Sequence, residues 1–177
     1  MVACSGSGRE SEVAFAPPQT LPLGWRELDG DHGRGFRLEV RSLRITHDRW
    51  AVEASVTNRT GVSYVIDRPH VPGGTKFGLF VIRSSDRGEW EGRVFAGRVT
   101  PDIIATRFEP PIPRLLRPGA RWSGTFSARG RLRSGISVRV GFGRFRTTET
   151  PPPGLPTHLM AVTRSTARIG ATTRLPG

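Results

Sequence analysis

Apolar and polar side chains alternate in short runs between Phe36 and Phe145, and a period of two marks strands with one buried face. Phe36, Leu38 and Val40 alternate with Arg37, Glu39 and Arg41. The alternation slips by one at Ser42 and resumes with Leu43 and Ile45, which predicts a β-bulge or a kink between sheets. Trp50, Val52, Ala54 and Val56 form the next inward set, against Ala51, Glu53, Ser55 and Thr57. Asn58-Arg59-Thr60-Gly61 then supplies residues that tolerate a left-handed backbone and close the strand. Val62–Ile66 continues as another strand, and Phe77–Ile82 is apolar at successive positions, as for a strand covered on both sides. Trp90–Phe95 and Ile103–Phe108 carry weaker strand patterns. Late in the chain, Trp122, Gly124, Phe126 and Ala128 alternate, as do Ile136, Val138, Val140 and Phe142. The short Gly-containing connection Arg129–Gly135 joins these two runs and predicts a hairpin. No helical period of useful length and no internal repeat interrupts this pattern. The expected fold is all-β, an immunoglobulin-like antiparallel sandwich of about seven strands.

The ends have a different texture. Gly (22) and Pro (15) make about a fifth of the 177 residues, and many lie outside the alternating region. We therefore divide the chain into a start and flexible tether at 1–24, a sandwich at 25–146, and a Pro-rich linker with a basic disordered tail at 147–177. The linker assignment rests on Pro151-Pro152-Pro153, which removes three main-chain donors in succession.

Met1-Val2-Ala3-Cys4-Ser5-Gly6-Ser7-Gly8 resembles the end of a bacterial lipobox, where small residues admit a peptidase and the cysteine thiol takes a diacylglyceryl group. Two acyl chains give stable anchoring where one does not. Because only three residues precede Cys4, this reading includes a longer precursor that carries the basic and apolar parts of a signal peptide. The bland alternative is a chance cysteine in a disordered leader. Phe36–Thr46, Trp50–Gly61, Leu115–Ala128 and Gly135–Phe145 further resemble parts of the immunoglobulin-like domains of actinobacterial secreted lipoproteins of unassigned function. The likeness lies in the turn at Asn58, the Leu116-Arg117-Pro118-Gly119 turn before a late strand, and the strand period over residues 25–146. It implies a sandwich at the outer face of the cytoplasmic membrane, and it implies no site.

Charge adds one lopsided feature. Residues 1–91 hold 12 basic and 12 acidic side chains, whereas 92–177 hold 15 basic and 3 acidic, so the whole excess of +12 lies in the second half. Arginine outnumbers lysine 26 to 1, a bias that fits a GC-rich genome better than selection for charge. Arg129, Arg131, Arg133 and Arg139 are the candidate anion-binding residues, the first three crowding one turn and Arg139 pointing outward from the last strand. Against this stands an arginine-rich surface that only keeps the protein in solution. Trp122, Phe126 and Phe142 fall on the inward phase, whereas nucleic-acid readers expose aromatic rings, so nucleic acid is disfavoured as a partner.

Candidates for chemistry are few. His32, His47, His70 and His158 stand at no metal-ligand spacing, Cys4 is the only cysteine, and no metal or other cofactor is expected. Asp29-Gly30-Asp31-His32-Gly33 places two carboxylates near an imidazole but lacks the further oxygen ligands of a calcium loop, and reads as a solvated turn. Glu89, Glu91, Asp102 and Glu109 are the carboxylates available for acid–base work, and no spacing ties any two together. A nucleophile elbow, a P-loop and a dinucleotide glycine fingerprint are all missing. Asn58-Arg59-Thr60 matches a glycosylation acceptor, but the turn accounts for it. No apolar run approaches the ~20 residues of a membrane-spanning helix.

The expected protein is thus not an enzyme. It is an extracytoplasmic lipoprotein domain of the cell envelope, anchored through Cys4 and suited to binding a surface protein or anionic wall polymer, or to a structural role. Two alternatives are kept: a nucleic-acid-binding protein using the basic second half, and a protease-inhibitor-like sandwich presenting the Asp67–Thr75 loop.

Overall fold

The computed structural model describes residues 14–29, 35–68, 74–83, 93–94 and 98–170. Within them the alternating runs become two packed antiparallel sheets, so the protein is an all-β sandwich. The first sheet has the order β1 (Gln19–Asp29), β2 (Phe36–Ile45), β3 (Arg49–Asn58), β9 (Arg121–Arg129), β7 (Arg107–Glu109). The second has the order β6 (Ile103–Ile104), β5 (Gly78–Ile82), β10 (Ser137–Arg146), β4 (Tyr64–Ile66), β8 (Leu115–Leu116), with β11 (His158–Val162) and β12 (Ala167–Arg168) also on β10. Twelve strands lie among the described residues where about seven were expected; β8 and β12, two residues each, are too brief to show a period.

β10 organises the second sheet. Val138 pairs with Val81 of β5 on one edge and Ala167 of β12 on the other. Phe145 pairs with Ile66 of β4 and Leu159 of β11. One long strand thus serves four short ones, two along each edge. In the first sheet, the slip at Ser42 is a bulge, with the register shifting between Val40 and Ser42 while the apolar phase stays inward on both sides of it. Trp50, Val52, Ala54 and Val56 are all buried, as their alternation requires.

Aromatic rings fill the space between the sheets. Phe77, fully buried, meets Phe126 and Phe142 edge-on at 5.4 Å each, Phe108 at 5.5 Å and Trp122 at 5.7 Å. Such edge-to-face contacts add to the stabilisation from area burial. On the outer face of the second sheet, Phe80, Val94 and Met160 make a smaller buried cluster. The Phe80 ring lies over Gly141, where any side chain would strike it. β5 is therefore covered on both faces, as its unbroken apolar run implies.

Three expectations are corrected. The runs at 122–128 and 136–142 are not a hairpin: β9 pairs with β3 and β7 in one sheet, and β10 lies in the other. Period two reports which face is buried but not which strand is the neighbour. Residues 147–170 are not a disordered tail, because Leu155, Leu159, Met160, Ala161, Ala167 and Ile169 are all buried and two strands join β10. The Pro run bridges folded elements rather than ending the domain. At the other end the sandwich begins before residue 25, with β1 starting at Gln19.

β1 also explains how one side of the sandwich is closed. It pairs with β2, and its inward positions include Gln19, Glu27 and Asp29, opposite the buried Ile45, Leu38 and Phe36. These side chains reach the C-terminal segment of the other sheet. The Gln19 amide donates to the Gly170 carbonyl at 3.0 Å. Glu27 accepts from the main-chain N–H groups of Arg164 and Ser165, the latter at 2.9 Å. Asp29 accepts from the Val162 N–H at 3.3 Å. Nearby, the Ala16 N–H donates to the Leu132 carbonyl at 2.8 Å and the Ser134 N–H to the Ala14 carbonyl at 2.9 Å, so the chain enters the domain alongside the β9–β10 connection. Ile169 leaves at the same place, its carbonyl accepting from the Gly135 N–H at 2.7 Å.

Candidate functional site

Carboxylates come first, since acid–base or metal chemistry would use them. Each one among the described residues is engaged. Glu27 and Asp29 hold the C-terminal segment as above. Asp102 accepts from the Val81 N–H at 2.8 Å, Glu149 from the Ser63 N–H at 3.4 Å, and Asp48 from the Thr46 hydroxyl at 3.1 Å. Glu53 pairs with Arg41 at 3.0 Å, Glu39 with Arg121 at 2.8 Å, Asp67 with Arg146 at 3.4 Å, and Glu109 with Arg107. Asp102 and Glu109 thus have structural partners on different sheets. Glu89 and Glu91 lie outside the described residues, as do Cys4, Asp31, His32 and most of the Asp67–Thr75 loop. No group of three or more His, Cys, Asp or Glu gathers among the described residues. No helix among them is long and apolar enough to cross a membrane.

Asn58 is a structural residue of unusual reach. Fully buried, its amide donates to the carbonyls of Val62 at 2.7 Å and Leu116 at 2.8 Å. Its side-chain oxygen accepts from the Thr60 N–H at 2.9 Å and hydroxyl at 2.7 Å. Its main chain binds the second turn: the Asn58 N–H donates to the Ala120 carbonyl, and the Gly119 N–H to the Asn58 carbonyl. The Asn turn and the Leu-Arg-Pro-Gly turn, far apart in sequence, are one hydrogen-bonded knot. A sugar on that amide would break it.

Two groups of arginines lie at opposite ends of the first sheet. At one end are three of the four arginines singled out from the sequence. Arg129, Arg131 and Arg133 are exposed on the β9–β10 connection. The Arg131 guanidinium stacks on the Phe15 ring at 4.0 Å, and Phe15 bridges Arg133 through the main chain. Phe15 itself is 45% exposed, an apolar ring beside three cations. Arg139 stands apart from them, on the second sheet opposite Phe80 in β5 and only partly exposed.

At the other end a second group appears that the sequence pattern does not mark. Arg26 on β1, Arg37 on β2 and Arg59 just after β3 line one cleft of about 170 Å³ with Glu27 and Leu28. Sheet register brings them together. Leu28 lies opposite Arg37, Arg26 lies opposite Glu39, and Phe36 pairs with Asn58, which places Arg59 at the end of β2. The Arg59 N–H donates to the Gly35 carbonyl at 2.9 Å and fixes that corner. Arg59 also lines a neighbouring hollow of about 330 Å³ with Thr60, Gly61, Val62 and Pro152.

No protein-family model matches the chain, and neither a curated protein nor a solved structure does.

Proposed function

We propose that this chain is a non-catalytic module of the cell envelope, held at the outer face of the cytoplasmic membrane by a lipid on Cys4, with a binding or structural role there. The observation that carries the non-catalytic part is the use of the acidic side chains. Every described carboxylate is committed to a main-chain N–H, a hydroxyl or a guanidinium, which supports a structural use of these groups. The surplus is cationic, which suits recognition of an acidic protein face or an anionic wall polymer. Support for the anchor comes from Val2-Ala3-Cys4 followed by Ser and Gly, the composition of a processed lipobox and its tether.

The test is made in the native organism on the chain as encoded there. The N-terminal peptide of the membrane fraction should have the mass of a diacylglyceryl cysteine at Cys4. Cys4→Ser should move the protein out of that fraction and leave its melting temperature unchanged. An unmodified Cys4 in the cytoplasmic fraction would overturn the anchored reading.

A further inference from the structure

We infer that the cleft between Arg26, Arg37 and Arg59 is a binding site for a phosphate-class oxyanion. Three guanidinium groups line it, and none of them makes a side-chain hydrogen bond or ion pair within the described structure. The nearest described carboxylates make their hydrogen bonds elsewhere. Glu27, on the wall of the cleft, is drawn inward to the N–H groups of Arg164 and Ser165. Glu39, across the ladder from Arg26, is held by Arg121 at 2.8 Å and by the Ser55 hydroxyl at 3.3 Å. Both carboxylates are thus bonded to groups other than this trio.

Size and chemistry narrow the ligand. The cleft offers about 170 Å³ and is open to solvent, its three arginines all exposed. One compact group fits. Guanidinium presents paired N–H donors that match two oxygens of a phosphate at once, so three of them lining one cleft suit a multiply charged oxyanion better than a single carboxylate. The rigid frame favours this too, since Arg26 and Arg37 stand on adjacent paired strands and Arg59 follows the Asn58 knot. The group could come as free phosphate or as phosphate carried on a polymer, and the same three arginines would read either.

This deepens the binding role proposed above and rests on it, but the test does not involve the anchor. The full 177-residue chain, unlipidated, is titrated with inorganic phosphate and separately with linear polyphosphate at ~150 mM salt, where long-range attraction is screened beyond ~8 Å. Saturable binding of either probe is expected, with loss of at least tenfold in affinity for Arg26→Ala/Arg37→Ala/Arg59→Ala. Binding of both would make the bare phosphate group sufficient; binding of polyphosphate alone would place the ligand on a polymer. The control is Arg44→Ala/Arg98→Ala/Arg168→Ala, which removes equal charge from exposed positions outside the cleft and should change affinity less than twofold. Melting curves identify any variant that fails to fold, and Arg37→Lys (same charge, no paired donors) then serves instead, with a several-fold loss expected. Equal weakening by both triple variants, or no binding of either probe by the wild-type chain, would overturn the site. Neither result would bear on whether Cys4 carries a lipid.

Discussion

At the scale of single residues, polar groups hold this fold as much as apolar ones. Asn58 makes two donor and two acceptor contacts at full burial, and its replacement strands the carbonyls of Val62 and Leu116. Asn58→Ala should therefore lower stability by about 2–4 kcal/mol, measured by urea unfolding, because each buried group left unpaired costs ~1–3 kcal/mol. Tyr64 gives a second prediction. Burial pushes its phenol from 10.0 up to about 12, and the hydroxyl donates to the Pro156 carbonyl at 3.4 Å. The folded chain thus keeps this proton at a pH where the unfolded chain has lost it. The stability from the neutral phenol is complete below pH 10 and is lost as pH rises through about 12. Tyr64 is the only tyrosine, so its ionisation should be visible as one late ultraviolet transition that tracks alkaline unfolding. Tyr64→Phe should flatten stability between pH 10 and 12.

At the scale of elements, the closure of β1 onto the C-terminal segment governs the packing of one whole side. Glu27→Ala removes two acceptor contacts made by a carboxylate, each worth ~1.5–3 kcal/mol at best and less where solvent reaches, so a loss of about 1–3 kcal/mol is expected. Hydrogen exchange should show the effect first at Arg164 and Ser165, ahead of the centre of the sheet. The same element shows what the sequence conceals. β2, β3, β9 and β10 were legible one by one, bulge included, because their inward residues are apolar and uninterrupted. β1 was not, since Pro22 and Gly24 break its run and its inward end carries Glu27 and Asp29 in place of apolar residues. β11 hid behind three prolines, although Leu159, Met160 and Ala161 are as deeply buried as any residue in the core. Pairing was illegible throughout: alternation identified β9 and β10 but not that they belong to opposite sheets. The rim arginines stood out because they are close in sequence. The cleft arginines did not, because register alone unites positions 26, 37 and 59.

At the scale of the whole molecule, the neutral first half and the basic second half of the chain interleave. The basic second half supplies β9 and β10, which sit inside sheets begun by the first half, and Arg121–Glu39 and Arg146–Asp67 pair across that divide. The two halves also share one core, so the C-terminal segment is part of the cooperative unit. Removing residues 154–177 deletes Leu155, Leu159, Met160 and Ile169, worth about 6–12 kcal/mol together at ~1.5–3 kcal/mol each. That rivals the ~5–15 kcal/mol of an entire domain, so calorimetry of the shortened chain should show no cooperative melting. The paired entry and exit of the chain beside the β9–β10 connection has a further consequence. With a lipid at Cys4, the ten residues to Ala14 extend at most ~35 Å, which keeps the Phe15 end within that reach of the bilayer. From there β3 runs ten residues, roughly 30 Å, to the corner at Arg59. Such a tether would attach to the sandwich at its Phe15 end, the end opposite the arginine cleft. Tether and strand together would cap the distance from bilayer to cleft at roughly 65 Å.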